Sequence, residues 1–202
     1  MKLYYYPGAC SLAVHVALIE AGRTAELVKV DLGAKKTESG ADFLKINPKG
    51  YVPALELDDG SVLTEAGVCC QYVADLAPQT GLAPAAGTLP RYRLMEWLNF
   101  ITAEVHKPLG SLFDPSLPQE GRDRALATLG KRLDYLTDAL KGRQHLVGDQ
   151  FTVADAYLFN VLNWTGMLKV DLSKWPVIQG YMGTVAARAS VQQALKEEGL
   201  VK

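Results

Sequence analysis

Strand-like and helix-like stretches alternate only over about the first 77 residues; beyond a proline-rich break every periodic stretch is helical. That change of period restricts the fold more than any other feature, because a strand pattern and a helix pattern cannot substitute for one another. Residues 2–6 are short, aromatic-rich and stopped by Pro7-Gly8, as a strand entering a turn would be. Residues 11–21 carry a helical apolar pattern (Leu12, Val16, Ile19) closed by Gly22, a suitable residue just past a helix end. Residues 26–32 read as a second strand, and strand–helix–strand with so long a connection predicts a parallel βαβ unit. Residues 35–44 are polar and expected to be part loop, part short helix. Residues 51–57 and 61–63 flank Asp58-Asp59-Gly60, a hairpin signal, and Thr64 or Glu65 opens a helix running to about residue 76.

Residues 78–90 hold three prolines and two glycines with little periodicity and read as a linker. After it, residues 91–112, 119–140, 153–168 and 176–187 repeat apolar side chains three or four apart, with a short last helix expected at 191–198. The fold class that follows is a compact α/β domain over 1–77, a linker over 78–90 and an all-helical domain over 91–202.

A formal net charge of -1 gives no electrostatic reason to expect nucleic acid or an anionic membrane as a partner. No run of 18 apolar residues is present, so no membrane span is expected. The first residues lack the apolar core of a signal peptide and are expected to be mature structure. The three cysteines, Cys10, Cys69 and Cys70, are too few and odd in number for a disulfide framework. A reducing compartment, the cytoplasm, is therefore expected.

Tyr5-Tyr6-Pro7-Gly8-Ala9-Cys10-Ser11 puts a cysteine at a strand-to-helix junction. Free N–H groups and the positive end of the helix dipole there favour a thiolate, and such cysteines have pKa values lowered to roughly 3.5–7.5. Ser11 is a candidate N-cap whose hydroxyl could instead donate to a sulfur anion. An inert buried thiol fits this local pattern equally well. Further on, Asn99, Ala103 and His106 at i, i+4 and i+7 share one face of an ideal helix, while Trp97, Ile101 and Val105 share another suited to packing. An amide, a small residue and an imidazole suit a lining surface; a satisfied core histidine with a solvated edge is the alternative.

Tyr-Pro-Gly-Ala-Cys-Ser at 6–11, Asn-Pro-Lys-Gly-Tyr-Val-Pro at 47–53 and Leu-Thr-Glu-Ala at 63–66 together resemble bacterial beta-class glutathione transferases. The stretch from Asn99 to Lys107 and Gly-Asp-Gln-Phe-Thr-Val-Ala-Asp at 148–155 extend the resemblance over essentially the whole chain. It implies a thioredoxin-like N-terminal domain and an α-helical C-terminal domain, with glutathione as co-substrate bound between them. Val52 and a cis Pro53 would pair with the cysteinyl part of glutathione, and Lys35 would meet the glycyl carboxylate. Glu65 and the backbone at Ala66 would take the γ-glutamyl end. The family usually has serine where this chain has Ala66, so one hydroxyl contact, about 0.5–1.5 kcal/mol, is missing. Tyr5 is among the implied glutathione-binding residues, and Asn99 and His106 would approach the sulfur. Ala103 and Glu104 would contact a glutathione bound mainly by the partner of a homodimer. Cys10, Ser11 and His106 are the implied catalytic set, and Lys107, Tyr157 and Trp164 are candidates for the wall of an acceptor pocket.

Other candidates read as structural. Thr152-Val-Ala-Asp155 is a capping box at the mouth of an apolar helix, with no catalytic role expected. Cys69-Cys70 reads as small apolar packing and His15 as a packed or surface histidine. Tyr157 and Trp164, seven apart, fit core aromatics as well as pocket walls. His145, Asp149 and the other carboxylates show no metal-ligand spacing, so no metal is expected.

The function that follows is transfer of glutathione sulfur to a small electrophilic, apolar or aromatic compound, the chemistry of a detoxifying, xenobiotic-conjugating transferase. Two alternatives remain. One is glutathione-dependent thiol–disulfide exchange or reductive dehalogenation through Cys10; Ala13 stands where a second cysteine would be needed, so only a one-cysteine route is open. The other is a non-catalytic carrier of apolar ligands.

Overall fold

The computed structural model describes residues 1–201, so Lys202, the last residue of the expected helical domain, lies outside it. Strands β1 (Lys2–Tyr5), β2 (Glu26–Asp31), β3 (Lys36–Thr37), β4 (Ala54–Glu56) and β5 (Val62–Thr64) form one mixed sheet in the order β3-β2-β1-β4-β5. β1 and β2 are parallel, with Leu3 opposite Leu27, and are joined through helix α1 (Ser11–Glu20) as the βαβ pattern requires. β4 and β5 are the expected antiparallel hairpin, with Leu55 opposite Leu63. Residues 35–44 hold the expected loop and run into a short 3-10 helix at Phe43–Lys45, and they add an unforeseen edge strand, β3, paired antiparallel with β2. Strands this short take their stability from the sheet beside them rather than from local pattern, and pattern alone does not reveal them.

Helix α2 (Ala66–Asp75) follows β5, and α3 (Leu89–Phe100) starts after the proline-rich stretch. The helix expected over 91–112 is not one regular α-helix. It passes from α3 into a π-helical stretch, Ile101–His106, and then into α4 (Lys107–Ser111). α5 (Gln119–Leu140), α6 (Val153–Met167), α7 (Pro176–Ala186) and α8 (Ala189–Glu197) complete the molecule, each within two residues of its expected bounds.

α1 is buried continuously from Ser11 to Leu18 and packs against α2, α6 and α8. An almost wholly apolar helix has no solvent face and must be enclosed. One contiguous core therefore runs from Leu3 and Leu12 through Leu94 and Ile101 to Leu158. Each fully buried leucine contributes about 1.5–3 kcal/mol relative to an exposed one, so the sheet and the helices are held by shared packing. A smaller cluster, Tyr4, Val30, Phe43, Val52 and Ala54, covers the other side of the sheet. The start of α1, with Cys10 at its N-cap, lies where these layers meet.

Candidate active site

Cys10 lines two cavities that share its side chain together with Tyr51, Val52 and His106. The smaller, about 180 Å³, is bounded also by Pro53, Glu65, Ala66, Thr102, Lys107 and Tyr157. The larger, about 490 Å³, is more apolar and opens between Tyr6, Leu32, Phe113, Trp164 and Met167. A cleft of about 590 Å³ around Pro84, Trp97 and Arg143 exceeds both, but no residue singled out for chemistry reaches it.

The Val52–Pro53 bond is cis, and the Val52 carbonyl accepts a hydrogen bond from the Cys10 thiol at 3.1 Å. Burial pushes that thiol up to about 12, with the Glu65 charge adding to the effect and the backbone N–H groups of Cys10 and Ser11 opposing it. Of the two readings left open for Cys10, the raised pKa and the bond to Val52 favour the buried neutral thiol, a hydrogen-bond donor, over the thiolate. Ser11 is also placed differently. Cys10 occupies the N-cap, and the Ser11 hydroxyl, fully buried, turns to the Tyr6 backbone, accepting from its N–H at 3.3 Å and donating to its carbonyl at 3.4 Å.

Glu65 occupies the N-cap position of α2 with a positive φ of 70° and lines the smaller cavity. Its Oε1 accepts from Lys49 Nζ at 2.6 Å and from the Tyr51 hydroxyl at 2.7 Å, and these two bonds lower its pKa. Lys49 and Tyr51 were not singled out from sequence, although both lie inside the 47–53 motif. Lys35 is outside the cavity, its Nζ donating to the Gly50 carbonyl at 2.7 Å, and Tyr5 packs against the main core.

The π-helical stretch rearranges the helical face expected to line the site. Its i→i+5 bonding widens the turn, so residues four apart stay neighbours while residues three apart do not. Thr102 and His106 consequently face the cavity together; no sequence signal pointed to Thr102. Asn99 of α3 and Ala103 of the π-helical stretch are exposed, as are Tyr92 and Met95 of α3. Glu104 is turned to Arg132, whose Nε donates to it at 2.7 Å. The His106 ring lies edge-on to Trp164 at 4.8 Å between centroids, and its Nδ1 is 2.7 Å from the Tyr157 hydroxyl. Burial, and then the Lys107 charge, bring the His106 pKa down to about 4, so the imidazole is neutral at pH 7. Tyr157 and Trp164 are deeply buried and still reach the cavities, one by its hydroxyl and the other by its ring.

The loop before Cys10 is held from the helical side. Gly8, at φ 73°, a conformation glycine adopts without steric cost, donates its N–H to Glu198 Oε2 at 2.8 Å. Its carbonyl accepts from Trp164 Nε1 at 2.7 Å and from Asn160 Nδ2 at 3.2 Å. Behind Glu198, His15 is buried with Nδ1 3.1 Å from Glu198 and Nε2 2.8 Å from Glu197. His15 is thus a packed histidine, held in an ionic cluster. Among the described residues no group of three or more His, Cys, Asp or Glu could hold a metal ion, and no helix is long and apolar enough to cross a membrane.

Residues 1–75 match the glutathione S-transferase N-terminal domain family and residues 100–189 the glutathione S-transferase C-terminal domain family. The chain belongs to the glutathione S-transferases. It is 46% identical to glutathione S-transferase GstA of Escherichia coli O157:H7, over 99% of this chain and 100% of that one. A bacterial beta-class glutathione S-transferase from Sphingomonas chungbukensis has a solved structure 46% identical to this transferase, with a TM-score of 0.96 and full coverage of both chains. A sphingomonad glutathione S-transferase solved in complex with glutathione is 47% identical, with a TM-score of 0.95 and again full coverage of both. The transferase is thus an enzyme of the bacterial beta-class type, with the thioredoxin-like sheet and helical C-terminal part that its ordered motifs implied.

Proposed function

We propose that this transferase binds glutathione in the cleft around Cys10, Val52, Pro53, Glu65 and Ala66 and uses the tripeptide's own thiolate to attack small electrophilic, apolar or aromatic compounds. The single observation that carries this reading is the hydrogen bond that the Cys10 thiol donates to the Val52 carbonyl at the wall of the cleft. A neutral thiol already donating to the Val52 carbonyl is a poor nucleophile and a good positioning group. Glu65 would take the ammonium of the γ-glutamyl end, and the N–H groups at the start of α2 its carboxylate. His106 and Lys107 line the same cavity as Cys10, and a sulfur anion there needs donors and positive charge. The neighbouring apolar cavity, walled by Trp164 and Phe113, suits the body of an aromatic acceptor.

Lys35 would contribute to the glycyl carboxylate only by leaving the Gly50 carbonyl. Tyr5 and Ser11 support the loop and do not line the cavities, and their roles would be indirect. The exposure of Tyr92, Met95, Asn99 and Ala103 supports a homodimer in which Ala103 and Glu104 serve the partner's glutathione. Three free cysteines fit the cytoplasm, and detoxification of xenobiotics is the role that fits the chemistry.

The test is Cys10→Ala, assayed with a chloronitroaromatic acceptor and with a glutathione mixed disulfide. Loss of one neutral hydrogen bond costs about 1 kcal/mol, so conjugation is expected to stay within about tenfold of the parent enzyme. Conjugation abolished by the substitution, with vigorous disulfide exchange or dehalogenation by the parent, would instead make Cys10 the reacting atom. Binding of apolar dyes with neither activity would leave a carrier.

A further inference from the structure

Three hydroxyl and ring groups meet at the wall of the smaller cavity, and their proton count decides what His106 can do. Thr102 Oγ1 lies 2.8 Å from the Leu98 carbonyl and 3.4 Å from the Tyr157 oxygen. A carbonyl accepts only, so the short contact takes the single Thr102 hydrogen. The Tyr157 oxygen in turn lies 2.7 Å from His106 Nδ1. Two proton arrangements satisfy these contacts. If Nδ1–H donated to Tyr157, the phenolic hydrogen would have no protein acceptor, because the 3.4 Å contact with Thr102 is oriented for Thr102 to donate and is in any case beyond the normal range for O–H···O. If Tyr157 donates to Nδ1, its hydrogen makes the 2.7 Å bond and every short contact is used.

We propose that Tyr157 is a positioning residue that donates to His106 Nδ1 and fixes the imidazole as its Nε2–H tautomer, aimed into the cleft as a hydrogen-bond donor.

The other edge of the ring is open to receive that role. Gly110 lies beside it; a Cβ there would stand 3.6 Å from His106 Cδ2 and 4.0 Å from Nε2, so the absent side chain leaves this edge less covered. His106 lines both cavities. Trp164 cannot compete for Nε2, because its indole N–H is committed to the Gly8 carbonyl. A neutral ring with Nδ1 occupied and Nε2 protonated has no free lone pair toward the cleft. It can donate to a sulfur anion and cannot take the proton from a thiol, which makes His106 an anion stabiliser and excludes it as the general base. The consequence for catalysis rests on the transferase reading; the tautomer itself does not.

The experiment is nitrogen NMR of the full-length protein labelled at histidine. His15, His106 and His145 are its three histidines, and His106→Asn identifies the signal that matters. At pH 7 the His106 signals are expected to show an unprotonated Nδ1 and a protonated Nε2. Thr102→Val is expected to leave them unchanged, because Thr102 receives no hydrogen from Tyr157. Tyr157→Phe is expected to abolish the preference between the two nitrogens. In conjugation assays it should lower kcat on the order of tenfold with little change in the KM for glutathione, less than the hundredfold typical of deleting an anion-stabilising donor outright. A protonated Nδ1 in the parent enzyme, or a tautomer indifferent to Tyr157→Phe, overturns the proposal whatever the activities are. The expected tautomer in a protein without conjugating activity would instead overturn the transferase reading and leave the positioning role standing.

Discussion

Cys10 sits where a helix dipole favours a thiolate, and burial prevails over that dipole. A helix terminus contributes about 0.3–2 kcal/mol, at most about one and a half pKa units, whereas desolvation of a buried group reaches about 3–5 units. The thiol is accordingly raised to about 12 and tied to the Val52 carbonyl. Its thiolate fraction should therefore grow about tenfold per pH unit through the neutral range. Alkylation of ligand-free protein by iodoacetamide, followed at the Cys10 peptide by mass spectrometry, is expected to accelerate between pH 7 and 9 without levelling off. A plateau below pH 8 would show that the dipole wins. His106 shows the same physics with the opposite sign: burial disfavours its cationic form, leaving a neutral ring that donates through one nitrogen. The location of both residues was legible in the motifs around them. Their charge states were not, because desolvation depends on what the rest of the chain lays over them.

At the scale of the element, most helices were readable because their apolar stripes are local. α5 is bounded where its period begins and ends, and buries Leu129, Leu133, Leu136 and Leu140 along one face. The π-helical stretch Ile101–His106 escaped the same reasoning, since periodicity assumes one turn width. Its effect is to bring Thr102 to the cleft beside His106 and to leave Asn99 and Ala103 outside. The capping box at α6 was legible and proved larger than a cap. Asp155, wholly buried, accepts from Thr152 N–H at 2.9 Å, Thr152 Oγ1 at 3.0 Å, Leu146 N–H at 2.9 Å and the Tyr181 hydroxyl at 3.0 Å. An ordinary N-cap is worth about 0.5–2 kcal/mol. Removal of this carboxylate leaves four buried donors unpaired, and Asp155→Ala is expected to cost about 3–5 kcal/mol in urea unfolding. A loss under about 1 kcal/mol would mean that water replaces it.

Over the whole molecule, the C-terminal helix is tied to the loop that carries Cys10. Glu198 is buried just after α8, bonds Gly8 with one carboxylate oxygen and His15 of α1 with the other, while Glu197 takes the second nitrogen of His15. Burial opposes a charged His15, but the hydrogen bonds and charges of Glu198 and Glu197 outweigh it and its pKa is raised. A histidine raised on folding stabilises fully below its unfolded value of about 6.5, and that contribution fades as pH climbs through the higher folded value. Removing the imidazole also strands a buried carboxylate. His15→Ala is therefore expected to lose on the order of 3 kcal/mol at pH 6 in denaturant unfolding, and distinctly less at pH 9. An equal or larger penalty at the higher pH would refute an ionic role.

What the sequence determined by itself was most of the order of elements, the split between an α/β part and a helical part, the family, and the segments that meet around Cys10. Each of these is written in local periodicity, turn residues and contiguous motifs, which act over a few residues. Only the tertiary structure decided which side chains line the cleft, that the Cys10 thiol is neutral, and that Tyr157 and Thr102 frame the His106 ring. It likewise decided that a glutamate 190 positions away holds the Gly8 turn. Those outcomes come from burial and from contacts between distant segments, whose free energies exist only once the chain has packed.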